Sequence, residues 1–93
     1  MFVAVVCDVV SDDHQKEVEN ILKLYGLEAK SKNLYETASL GENNLMRLKR
    51  DIDRAIDSYD SVFFYQFPMQ ETLVVSSLEK KRWRKRVMQK EIV

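Results

Sequence analysis

Asp8 is the residue in this 93-residue sequence whose neighbours best place it for chemistry. It closes the apolar run Phe2-Val3-Ala4-Val5-Val6-Cys7 and precedes the helix-starting group Ser11-Asp12-Asp13, which predicts a position at the C-terminal tip of a first strand. A dimer dyad could bring two copies of Asp8 together as Mg2+ ligands, with water and phosphate oxygens completing the shell. Such an ion would polarise a phosphodiester and activate water. The competing reading is a carboxylate that ends the strand, hydrogen-bonds the turn and faces a helix N-terminus, a placement that stabilises an anion by ~0.3–1 kcal/mol. Asp12 and Asp13 could add outer-shell carboxylates, but their place before a helical stripe reads more directly as capping. His14 is the single histidine and could serve as a general base near neutral pH. With no Cys, His or carboxylate at a diagnostic spacing, it is expected in the first helical turn facing solvent. The single Cys7 lies within the apolar strand, where a thiol behaves as a small hydrophobe.

The second chemically pointed segment is Lys80-Lys81-Arg82-Trp83-Arg84-Lys85-Arg86, six cations around one indole. Cations neutralise phosphates and an indole stacks on a base, so this segment is a candidate nucleic-acid or partner-binding surface. Two other readings stay open: a solvated tail, or a tail lying over the body with Trp83 and Val87 in a groove at i, i+4 spacing. The chain's zero net charge conceals this asymmetry. Residues 80 to 93 hold seven basic residues and one acidic, whereas residues 1 to 79 hold eight basic and fourteen acidic. An acidic body with a basic terminus points to a polyanion or an acidic partner at that terminus.

Length and composition bound the rest. A chain this short supports one hydrophobic core, and 45% apolar with 32% charged residues is globular composition. The first ten residues are too short for a spanning helix, are interrupted by Asp8 and lack a basic flank and a cleavage site, so neither secretion nor membrane insertion is expected. With one Cys, a reducing cytoplasm fits best. Gly-rich phosphate loops, serine triads, HExxH motifs and zinc spacings do not occur.

The elements follow from periodicity. Val18, Ile21, Leu22 and Tyr25 mark one helical face, stopped at Gly26. A weaker hairpin over residues 27–39 turns at Lys32-Asn33, and Leu45, Leu48, Ile52, Ala55 and Ile56 mark a second helix. Residues 61–67 and 72–75 read as strands, and residues 79–90 have helical propensity without an apolar face. The order βαββαββ predicts an α+β, ferredoxin-like βαββαβ sandwich with an extra C-terminal strand, dividing as a domain over residues 1–78 and a basic tail over 79–93. Both faces of the first strand and of residues 62–65 are apolar, so the face away from the helices needs cover. A second copy is the expected cover, giving a homodimer with sheet against sheet.

Taken together, the strand ending Val6-Cys7-Asp8-Val9, the Ser11-Asp12-Asp13 helix start, Ile21-Leu22-Lys23-Leu24-Tyr25-Gly26, the helix over residues 45–56 and Asp60-Ser61-Val62-Phe63-Phe64-Tyr65 resemble the CRISPR-associated protein 2 family of small ferredoxin-like dimers. The resemblance runs over most of residues 1–78. It implies a role in spacer acquisition, in which the dimer bridges dimers of the CRISPR-associated protein 1 integrase and holds a DNA fragment, with residues 73–86 engaging the integrase or phosphates. It also implies that Asp8 matches the family's metal-binding aspartate, and that any activity would be Mg2+-dependent hydrolysis of phosphodiesters in DNA or RNA. The sequence departs from the family where His14-Gln15-Lys16 stands in place of an arginine-rich helix start, and where Glu28-Ala29-Lys30 replaces Arg-Val-Gln. These departures favour the bridging role over catalysis. Two alternatives from other classes are a ribonuclease toxin resembling virulence-associated protein D and a non-catalytic ferredoxin-like regulatory dimer.

Overall fold

A computed structural model describes residues 1–89. Eight elements follow one another: β1 (Phe2–Asp8), α1 (Asp12–Leu24), β2 (Glu28–Ala29), β3 (Leu34–Thr37), α2 (Glu42–Ala55), β4 (Ser61–Met69), β5 (Thr72–Glu79) and β6 (Arg82–Gln89). The strands form one antiparallel sheet in the order β2-β3-β1-β4-β5-β6. The first four positions are those of a ferredoxin-like βαββαβ unit once β2 and β3 are taken as one hairpin, and β5 and β6 widen the sheet beyond β4.

Local chemistry accounts for the helix ends. The Ser11 side chain accepts the His14 backbone N–H at 3.3 Å as the N-cap of α1, with Asp12 and Asp13 in the first turn. At the other end Gly26 adopts φ +87°, while its N–H reaches the Lys23 carbonyl at 3.0 Å and that of Leu27 reaches the Leu22 carbonyl at 3.0 Å. That is a Schellman motif, whose left-handed residue glycine adopts without a Cβ clash. Both helices lie on one face of the sheet. Val18 and Leu22 of α1 and Leu45, Leu48 and Ile52 of α2 bury against Val3, Val5, Cys7, Val62, Phe64 and Leu78 of the strands. Cys7 sits inside this core, and burial pushes its thiol up to about 12, so it contributes packing and no thiolate.

Two expectations change. Residues 72–75 were expected to be a short strand, but β5 runs to Glu79. Residues 79–90, expected to favour a helix on the surface, instead supply β6 through Gln89, paired along its length with β5 from Thr72↔Gln89 to Glu79↔Arg82. The remaining residues of the predicted tail, 90–93, lie outside the described ones. Tertiary pairing overrides helix propensity here, because the exposed edge of β5 offers eight residues a ladder of backbone hydrogen bonds. The hairpin between β5 and β6 is tight. Lys80 (φ 52°) and Lys81 (φ 60°) both occupy the left-handed region, as the central residues of a type I′ turn do.

Candidate nucleic-acid interface and acidic sites

Strand alternation divides the basic segment between the two faces of the sheet. The register sets Arg82, Arg84 and Arg86 opposite Glu79, Ser77 and Val75 on the face away from the helices, and Trp83 and Lys85 opposite Leu78 and Ser76 on the helix side. Lys80 and Lys81 form the turn. Lys81 and Trp83 are engaged with α2. The Lys81 ammonium donates to the backbone carbonyls of Asp53 and Ile56 (the latter at 3.2 Å) and to Asp53 Oδ1 at 2.5 Å, while Trp83 Nε1–H donates to Asp53 Oδ2 at 3.0 Å. A cation on the C-terminal carbonyls of α2 satisfies acceptors left open by the helix and complements its dipole. The Lys81 and Trp83 hydrogen bonds outweigh desolvation and hold the Asp53 carboxyl below its ordinary value. The indole packs on Phe64 with ring centroids 5.8 Å apart. Trp83 and Lys81 thus clamp β6 to the body.

The three arginines have the opposite environment. Across the outer face the strands align residues in rows: Val6, Phe63, Ser77 and Arg84 in one, Ala4, Tyr65, Val75 and Arg86 in the next. Phe63 and Tyr65 stack at 6.5 Å, and Phe2 meets Phe67 at 5.8 Å. A groove of about 660 Å³ lies at Phe63, Ser77, Glu79, Arg84, Lys85 and Arg86. Guanidinium forks beside aromatic rings and a hydroxyl can take phosphate oxygens bidentately and stack a base.

Asp8 ends β1 on this same outer face, exposed, in a row running Asp8, Ser61, Glu79, Arg82. Glu79 is the nearest carboxylate in that row. It stands two strand spacings from Asp8, about 10 Å between backbones. Asp8 itself supplies one carboxylate, and waters, phosphate oxygens or a second Asp8 would have to complete most of a Mg2+ shell there.

The acidic group that sequence reasoning missed surrounds Asp60. Just before β4, this carboxylate is almost fully buried, with Oδ1 accepting the Val10 N–H at 2.9 Å and Oδ2 the Asp57 N–H at 3.0 Å. His14 Nδ1 lies 3.3 Å from Asp60 Oδ2 and 3.8 Å from Asp57 Oδ2. Burial alone would raise the Asp60 carboxyl, but hydrogen bonds from Asp57, Val10 and His14 prevail and hold it below its ordinary value. The expected solvent-facing His14 thus has a carboxylate partner 46 residues away in sequence. Ligand atoms of His14, Asp57 and Asp60 lie within 4.8 Å of one another, close enough to share an ion. The imidazole in that set suits a transition metal better than Mg2+, which prefers an all-oxygen shell. Asp8 is outside the group.

A ferredoxin-like sheet with one face under helices and the other carrying aromatic and arginine rows defines a small α+β protein with an open sheet surface. A family model described as CRISPR associated protein Cas2 matches residues 1–75, and the chain belongs to that family. The match ends within β5, so the arginine strand β6 lies beyond it. Comparison with curated proteins returns no match. Among the described residues no helix is long and apolar enough to cross a membrane.

Proposed function

We propose that this CRISPR-associated chain acts in spacer acquisition as a homodimer that bridges dimers of the CRISPR-associated protein 1 integrase and holds DNA. The observation that carries the reading is the outer sheet face. Val6 and Phe67 are 38% and 46% exposed there, an apolar area that a second copy of the sheet would cover, while Arg82, Arg84 and Arg86 line its margin. Pairing sheet to sheet would also bring the two Asp8 carboxylates toward the dyad, where Mg2+ and phosphate oxygens could complete a site for phosphodiester hydrolysis. Bridging is the primary role in this reading, because Asp8 belongs to no group of three or more metal-ligating side chains among the described residues.

A salt titration of DNA binding tests the arginine margin. Arg84→Gln with Arg86→Gln should lower the slope of log affinity against log salt by about 2, since each lost phosphate contact removes about one released counterion. A slope equal to that of the unaltered protein would remove β6 from the interface. Asp8→Ala should leave integrase capture and spacer acquisition intact and abolish metal-dependent cleavage. Persisting cleavage would exclude Asp8 from the chemistry, and failure to co-purify with the integrase would overturn the bridging role.

A further inference from the structure

The helix side of β6 carries a second cationic feature, which shares Lys85 with the arginine groove. Lys49 descends from α2 toward the sheet, where its ammonium donates to Ser76 Oγ at 3.0 Å, and that hydroxyl donates to Gln66 Oε1 at 3.1 Å. The same ammonium stands 5.8 Å from the Phe64 ring centroid and 5.9 Å from that of Trp83. Lys85 is the direct cross-strand partner of Ser76 on this face. The Lys49 ammonium thus sits on a buried hydroxyl, and a second lysine occupies the strand position directly opposite that residue. Asp53, the acid one turn along α2, is occupied by Lys81 and Trp83. Among the described residues, neither Lys49 nor Lys85 has an ion-pair partner.

We infer that Lys49 and Lys85 form an anion site between α2 and β6, beside Ser76, that takes the phosphate group of a ligand. Lys49 has spent one of its three protons on Ser76, and the protons of Lys85 are uncommitted, so a phosphate oxygen between them would accept from both. Burial, with the neighbouring Lys85 charge adding to it, pulls Lys49 down to about 8, and an anion seated there would relieve both causes. The aromatic floor of Phe64 and Trp83 holds the ammonium in place by cation–π attraction. The site does not depend on the dimer or on the integrase.

The test is a pH titration of the lysine side-chain amines by NMR in the full chain, alone, with inorganic phosphate, and with a short single-stranded DNA lacking a terminal phosphate. Inorganic phosphate is expected to raise the Lys49 midpoint by about one unit, and Lys85→Gln, at an exposed strand position, should abolish that response. A shift with phosphate alone supports a free-phosphate site, and a shift with DNA at much lower concentration supports a backbone-phosphate site. An unmoved Lys49 midpoint with both probes, or an undiminished response in Lys85→Gln, overturns the inference. DNA that binds while leaving Lys49 unmoved, together with no phosphate response, would overturn this site and leave the arginine interface standing.

Discussion

Asp60 shows how one buried carboxylate can organise a site without belonging to a motif. Its two oxygens accept the N–H groups of Val10 and Asp57, which ties the loop after β1 to the loop after α2, and His14 closes the group from α1. Asp60→Asn would turn an amide NH₂ toward these donors and is expected to cost about 2 kcal/mol at pH 7, read by denaturant unfolding. The pH dependence carries a definite sign. Because the folded carboxyl titrates below its unfolded value of 3.8, its stabilisation is complete at pH values well above 3.8 and disappears as pH falls through the lower folded value. Stability of the unaltered protein should therefore fall on acidification through that window, and Asp60→Asn should flatten that part of the curve. An acid limb identical in both proteins would show that other carboxylates govern it.

At the scale of elements, β6 decides which basic side chains face outward. Its alternation was present in the sequence as Arg82, Arg84 and Arg86 at period two, a strand pattern that the helical propensity of lysine and arginine obscured. The turn that reverses the chain has no glycine or asparagine. Lys80 and Lys81 both bear the cost of positive φ. Lys80→Asn, a residue suited to the left-handed region, should raise stability by about 0.5 kcal/mol. Trp83→Ala, which removes the packing on Phe64 and the bond to Asp53, should lower it by about 2 kcal/mol. Equal unfolding midpoints for Trp83→Ala and the unaltered protein would mean that β6 is not held to α2 through the indole.

For the whole molecule, the question is what lies over the outer face of the sheet. Helices cover one side only, while Phe2, Phe63, Tyr65 and Phe67 stand on the other. Sedimentation at micromolar concentration should give twice the mass of a protomer, and Phe63→Lys should halve it with the circular dichroism unchanged, since Phe63 points away from the helix-side core. A monomeric unaltered protein would remove the dimer and, with it, the paired Asp8 site.

The residue pattern alone established the ferredoxin-like order of strands and helices, both core stripes, the Gly26 stop, the two-sided apolar strands and the family, because each rests on local spacing or on short runs of residue types. Tertiary structure decided the rest. It joined His14 to Asp60 across 46 positions, set Lys49 beside Ser76 across 27, and drew Trp83 and Lys81 onto Asp53 across 30 and 28. No periodicity encodes such pairings, since they follow from which loops and faces the packed sheet brings together. The strand identity of β6 belongs with them, because a mostly polar segment of helical propensity becomes a strand only when β5 presents an unpaired edge.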